Sequence, residues 1–438
     1  MSDNESRNHS QPSTWRIPKS VCFHSELHLS TFGYGKGFLM AVILHQKSKL
    51  QKMIRILTIF FMVLVSISGA SAQETARVEV KNLDSKFFPF KRQVLIFTPN
   101  EYDEATQSEY DVIYVFDSQW RSRFDLVHSL MHYGCQPENE DTRPFIVVGI
   151  TSPYLPDYNY ERNRDFYSMP VNIQKPENMP DDYGCAPLFK KFIKEELIPY
   201  VNSEYRTTGH ALAVGHSLSA SFILESLTSE YMFDDYIALS PNLAWDDQLW
   251  GKELVNYDFN NKKPCFIFMT MANECVDTGW PDEWRSAWDK VKTHFESANL
   301  PEYVKMEIKE YPEYSHNGSY QPVLIDALKS YAAYRLTDDS QPTDSASCQA
   351  HIELSGTALN GDVYITGNQE TLANWNPKGI KMTQKNDSTY TIDICLKLPA
   401  EFKFTQGSWD NQIWVKNAIP GNLRITNETK ATKYYETF

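Results

Sequence analysis

Read by its apolar and polar positions, the chain between residues 90 and 335 alternates short apolar runs with longer amphipathic stretches. The segment 90–99, containing Arg92-Gln93-Val94-Leu95-Ile96-Phe97-Thr98, and the continuous apolar run 112–116 read as strands. Residues 145–150, 211–214, 236–239, 265–271 and 303–308 read the same way. A run with no polar face is what a strand buried on both sides requires. Between these runs, 188–201, 221–228, 284–296 and 323–334 place apolar residues at helical spacing. Strands alternating with amphipathic helices predict an α/β fold, with a mostly parallel sheet covered on both faces.

Two stretches break the rhythm. Residues 154–183 are rich in Tyr, Pro, Asn and Asp and have no helical period. A loop of this length after a strand's C-terminal end is expected to be a lid or a binding loop. Residues 337–347 are polar and acidic and read as a linker. Beyond it, 351–354, 363–366, 390–398, 402–405 and 423–426 alternate as short strands. They predict a small all-β sandwich over 348–438, with the α/β domain occupying 73–336.

Charge changes the picture at the N-terminus. The chain carries a formal −14, yet residues 1–72 hold eight Lys/Arg against three Asp/Glu, so the remainder carries −19. So acidic a body excludes nucleic acid and anionic membrane surfaces as expected partners. A basic Met53-Ile54-Arg55, an apolar run over 56–67 and a small-residue site ending at Ala72 describe a secretory signal peptide over 53–72. The run is short for a bilayer span, so no stable membrane span is expected after cleavage. An uncleaved anchor is the alternative. Signal peptides begin at the initiator, so residues 1–52 are read as a gene-model extension and Met53 as the true start. The protein is therefore expected to be exported: periplasmic, surface-associated or secreted. An exported chain permits disulfides, but the spacing of its cysteines assigns no pairs. No Cys-x-x-Cys or Cys/His cluster suggests a metal, and no organic cofactor is implied.

The chemistry centres on Gly215-His216-Ser217-Leu218-Ser219, which ends an apolar run and opens a helical stretch. Strand, sharp turn and helix with a serine at the apex is a nucleophile elbow. It would leave the Leu218 N–H at a helix N-terminus, ready to hold an oxyanion. Serine needs a base, and the base an orienting carboxylate. His316 lies in a loop between the strand 303–308 and the helix 323–334. The loop after 265–271 offers Glu274 and Asp277, of which Glu274 stands nearer the strand end. His216 is read as packing at the elbow rather than as the base. A lone Gly-x-Ser-x-small string is usually a structural turn. Serine, acid and histidine following three successive strands in this order is the stronger signal.

Several stretches together resemble the esterase family of α/β-hydrolases that includes enterochelin esterases, esterase D and feruloyl esterases. They are Lys91-Arg92-Gln93-Val94, Val112-Ile113-Tyr114-Val115-Phe116-Asp117, Arg162-Asn163-Arg164-Asp165-Phe166, Glu195-Glu196-Leu197-Ile198-Pro199-Tyr200, Gly215-His216-Ser217-Leu218 and Ser240-Pro241-Asn242-Leu243-Ala244-Trp245-Asp246. The resemblance implies an α/β-hydrolase fold with Ser217 as nucleophile, His316 as base and Glu274 at the acid position. It places the second oxyanion donor just after Asp117, at Gln119 or Ser118. Ser219-Ala220 replaces the family's Gly-Gly, a departure expected to crowd the elbow mildly. Arg162 and Arg164 are either anion contacts for substrate or partners of nearby acids.

Residues from about 348 are similar to starch-binding carbohydrate modules of the family 20 type. The likeness rests on Val363-Tyr364-Ile365-Thr366-Gly367-Asn368, Leu372-Ala373-Asn374-Trp375-Asn376-Pro377 and Phe402-Lys403-Phe404-Thr405. It implies stacking tryptophans at Trp375 and Trp414, polar partners at Lys403 and Asn422, and α-glucan or a related polysaccharide as partner. The alternative is an ordinary sandwich whose tryptophans fill its core. The expected activity is serine carboxylic-ester hydrolysis, on acyl esters of a glycan. A siderophore esterase, an acyltransferase and a non-catalytic glycan-binding protein are the competing readings.

Overall fold

The computed structural model describes residues 77–136, 139, 141–177, 179, 184–260, 265–274, 282–337 and 342–438. The expected N-terminal extension, the signal peptide and Asp277 lie outside them. An eight-stranded sheet runs in the order β1 (Arg77–Leu83), β2 (Arg92–Thr98), β4 (Phe145–Ile150), β3 (Tyr110–Val115), β5 (Thr207–His216), β6 (Asp235–Leu239), β7 (Cys265–Met271), β8 (Val304–Glu310). β1 and β2 are antiparallel to their neighbours, whereas β4 to β8 pair in parallel. This is the α/β-hydrolase fold.

Helices close both faces. On one, α1 (Arg121–Gly134) and α8 (Tyr320–Thr337) bury Phe124, Val127, Met131, Leu324 and Tyr331 against Ile113, Val147 and Phe268. On the other lie α2 (Arg162–Phe166), α3 (Ala186–Phe192), α4 (Ile198–Glu204), α5 (Leu218–Ser229), α6 (Trp245–Val255) and α7 (Asp282–Ser297). Their aromatic and aliphatic side chains form the larger core with Val112, Tyr114 and Ile267.

The stretch after β4 is pinned rather than loose. Arg92 and Asp165, both essentially inaccessible, pair at 2.8 Å. The Asp246 carboxylate accepts the backbone N–H groups of Val171, Asn172 and Ile173 at 2.8–3.0 Å.

The C-terminal part packs one sheet of β12 (Thr383–Asn386), β13 (Thr389–Leu398), β9 (Thr343–Ser355) and β17 (Thr432–Glu436) on another. The second contains β11 (Ile380–Lys381), β10 (Tyr364–Gly367), β14 (Ala400–Thr405) and β15 (Gln412–Ile413), with β16 (Leu423–Ile425) also on β14. Ile352, Ile365, Phe402 and Phe404 fill the space between. The strand β9 begins at Thr343, well before the alternating pattern is visible in the sequence.

This sandwich is bonded to the α/β domain. Glu109 meets Lys430 at 3.1 Å and Lys433 at 3.4 Å, and Ser108 Oγ accepts the Ile419 N–H at 2.8 Å. Arg424 pairs with buried Glu401 at 2.8 Å and lies 3.8 Å from Asp111, which Arg335 pairs at 2.7 Å. The seam therefore sits at the N-terminal ends of β3 and β5. No helix among the described residues is long and apolar enough to cross a membrane.

Candidate active site

The backbone of β5 ends at His216, and Ser217 follows with φ +63° and ψ −126°, ahead of α5. A non-glycine residue in this region is strained and is held there by its surroundings. The Ser217 N–H donates to the Leu239 carbonyl at 2.8 Å, tying the turn to β6. Gly215 is required because a Cβ there would stand 2.7 Å from the Ser219 carbonyl group. Leu218 opens α5, so its N–H is among those that no helical carbonyl accepts.

Ser219 does more than crowd. Its hydroxyl donates to Asp117 Oδ2 at 2.7 Å and accepts the His216 N–H at 3.0 Å. It is a bonded part of the turn, where glycine would leave Asp117 one donor short.

His316 enters from the loop between β8 and α8. Its Nδ1 faces Glu274 Oε1 at 3.6 Å, longer than a formed hydrogen bond. Its ring lies 4.6 Å from that of His216 and 5.8 Å from that of Trp284, whose Nε1–H is fixed on the Pro241 carbonyl. Burial drives the His316 pKa below the ordinary histidine value, and Glu274 offsets only part of this. For Glu274 burial works upward, but the neighbouring His316 and Ser240 side chains and the Ala272 N–H hold the carboxyl below its usual range. The Ala272 contact is 2.8 Å.

Asp117, at φ +60° just beyond β3, is the residue the sequence did not single out as chemistry. It has no solvent exposure and accepts from Arg162 Nη2 at 2.7 Å, Arg123 Nη1 at 3.1 Å, Ser219 Oγ and Gln119 Nε2. Burial opposes its ionisation, but the bonds and charges of Arg162 and Arg123 outweigh it and depress its pKa. Arg162 is thus a partner of a nearby acid. Ser118 N–H is engaged by the Ile150 carbonyl at 3.0 Å, so of the two alternatives Gln119 is the better placed to offer its N–H. Trp120, half exposed, lies under both Arg123 and Arg162 at 4.7 and 5.4 Å.

Tyr154, Tyr160, Tyr167, Trp245, Asn163 and Arg164 line a recess of about 500 Å³. Among the described residues no cluster of His, Cys, Asp or Glu is placed to hold a metal ion. No disulfide joins the described Cys135, Cys265, Cys348 or Cys395.

The family model described as "Putative esterase" matches residues 85–316. The chain belongs to this esterase family. A second model, the starch binding domain, matches residues 347–433. Among solved structures the esterase is similar to an IroE-like serine hydrolase from Shewanella oneidensis, at 24% identity and TM-score 0.49, over 59% of this chain and 80% of that one. It is also similar to the siderophore hydrolase EstA from Aspergillus nidulans, at 19% identity and TM-score 0.48, over 59% and 95%. A ferulic acid esterase matches at 14% identity and TM-score 0.43, over 60% and 99%. No curated protein matches the chain.

In the starch-binding module, Trp414 is 52% exposed and shares a recess of about 310 Å³ with Lys403, Pro420 and Phe438. Trp375 is half-buried with φ +61°, and the Thr405 hydroxyl holds the loop that follows it through the Pro377 carbonyl. β15 pairs with β14 at Phe404–Ile413, so Trp414 leaves the sheet alongside Lys403. The Asn422 amide donates to Glu401 at 2.8 Å, which turns it toward the seam.

Proposed function

We propose that this esterase hydrolyses acyl esters carried on a glycan, with Ser217 as nucleophile, His316 as general base and Glu274 as the carboxylate that orients it. The observation that carries the reading is the strained turn at Ser217, with His316 packed on the adjacent His216 and Glu274 behind it. Ser217 Oγ attacks the ester carbonyl carbon while His316 Nε2 takes its proton. The N–H groups of Leu218 and Gln119 hold the oxyanion. Collapse releases the alcohol, protonated by His316, and water then cleaves the acyl-enzyme by the same route.

The starch-binding module supports a glycan as the carrier, with the Trp375 and Trp414 faces stacking on pyranose rings and Lys403 bonding their hydroxyls. In this reading Asn422 braces Glu401 rather than touching sugar. The ten residues of β5 set the seam at its N-terminal end on the order of 30 Å from Ser217. The module therefore anchors the enzyme to polysaccharide rather than completing its cleft. Arg123 and Arg162 are both engaged by Asp117, which weighs against an anionic siderophore ester. An acyltransferase would use the same acyl-enzyme and differ only in letting a sugar hydroxyl outcompete water.

The test is hydrolysis of acetylated and feruloylated α-glucan oligosaccharides against a catecholate trilactone, with Ser217→Ala as blank. The glycan esters are expected to give the higher kcat/KM. Preferential hydrolysis of the trilactone would contradict this assignment.

A further inference from the structure

Beneath the candidate site runs a chain of contacts that the triad chemistry does not itself require. Arg123, on α1, spans from Asp117 Oδ2 at 3.1 Å to His216 Nδ1 at 3.2 Å. His216 Nε2 in turn lies 3.0 Å from the His316 carbonyl. A guanidinium can only donate and a carbonyl can only accept. Two independent constraints thus put the His216 proton on Nε2 and the lone pair on Nδ1. The ring is 1% exposed and lies edge-on to Tyr320 at 5.3 Å. Burial and the charge of Arg123 keep it neutral, well below the ordinary histidine value.

We propose that His216 is a positioning residue for the base: with Arg123 and Asp117 it fixes the offset between the Ser217 elbow and the His316 loop. The inference rests on the reading of Ser217 and His316 as nucleophile and base. His216 is the residue next to Ser217, and its ring is bonded to the backbone of His316 itself, so this one hydrogen bond spans the nucleophile-to-base distance with almost no intervening chain. On the other side of the elbow, Ser219 bonds Asp117, whose loop carries Gln119. The three loops that must agree in position therefore meet on Asp117, Arg123 and His216. The Ser319 hydroxyl also donates to the His316 carbonyl, at 2.8 Å. Loss of the His216 bond consequently leaves that carbonyl satisfied and frees the loop's position, which is a catalytic rather than a solvation penalty. A shift of roughly 1 Å in the base is enough to cost on the order of 100-fold in rate.

The full chain would be assayed on p-nitrophenyl acetate, with fluorophosphonate labelling of Ser217 in parallel. His216→Phe keeps the ring and loses both bonds; it is expected to lower kcat about 10- to 100-fold while KM stays within about threefold. His216→Gln places an amide N–H where Nε2–H stands and is expected to recover kcat to within about fivefold of wild type. Arg123→Met, which keeps an unbranched side chain and loses both bonds, is expected to lower kcat by a smaller factor and decides the matter if His216→Phe does not fold. Wild-type kcat in folded His216→Phe, a Gln variant no better than Phe, or an unchanged Arg123→Met would each overturn the inference. A folded wild type that does not label at Ser217 strikes the nucleophile reading itself, and this inference falls with it.

Discussion

His316 lies between opposing influences. Burial, reinforced by the charges of Arg123 and Arg162, disfavours its cation, and the Glu274 carboxylate favours it. The net shift is downward, so the neutral imidazole persists to lower pH than the ordinary histidine value of about 6.5 allows. The acid limb of kcat/KM should therefore have its midpoint below that value. Glu274→Gln removes a partner that stabilises the cation. The acid limb should move to still lower pH while kcat falls by about 10³- to 10⁴-fold, and a pH–rate series on both proteins checks the two signs together. That Ser217 stands on a strand–turn–helix and His316 after the last strand of the sheet is legible from the local pattern of small, apolar and polar residues. The parts played by Asp117, Arg123 and Trp284 are not, because each is made by contacts from distant elements. Ser219 was legible only as a misfit, since its bond to Asp117 spans more than a hundred residues.

At the scale of elements, continuous apolar runs marked the buried parallel strands well. The edge strand β1 escaped, because it has no fully buried side chain to mark it. α1 escaped too, for its only fully buried large apolar side chains are Phe124, Val127 and Met131, set among charged and histidine residues. α6 is hidden by its start, where Asp246, Asp247 and Gln248 adopt left-handed backbone before the helix proper. That start has a use. Asp246 is buried and receives three consecutive N–H groups from residues 171–173, so the segment expected to be a lid is fastened to α6. Asp246→Ala should remove about 2–3 kcal/mol of local stability, charge-assisted bonds being the strong ones. Limited proteolysis within 154–183 should then be faster by about tenfold or more with the far-UV dichroism unchanged.

Over the whole molecule, the parallel sheet separates two ends with different work. Its C-terminal ends carry Asp117, Ser217, Ser240 and Glu274, three of them with left-handed backbone where strands give way to loops. Its N-terminal ends receive the starch-binding module through Ser108, Glu109 and Asp111. The acidic strand start at Glu109 to Asp111 gave no sign of this in the sequence, since its basic partners Arg424, Lys430 and Lys433 lie more than three hundred residues away. Burial opposes the Asp111 charge, but Arg335 and the hydroxyl of Thr208 more than offset it, so the carboxylate is held ionised in the seam. The proposed hydrolysis depends on an activated Ser217. Intact-mass and peptide analysis of the full chain after fluorophosphonate treatment tests it most directly. One adduct per chain, mapped to Ser217 and absent from Ser217→Ala and His316→Ala, is the predicted result. A folded protein that takes no adduct, or takes it at another residue, would contradict the account.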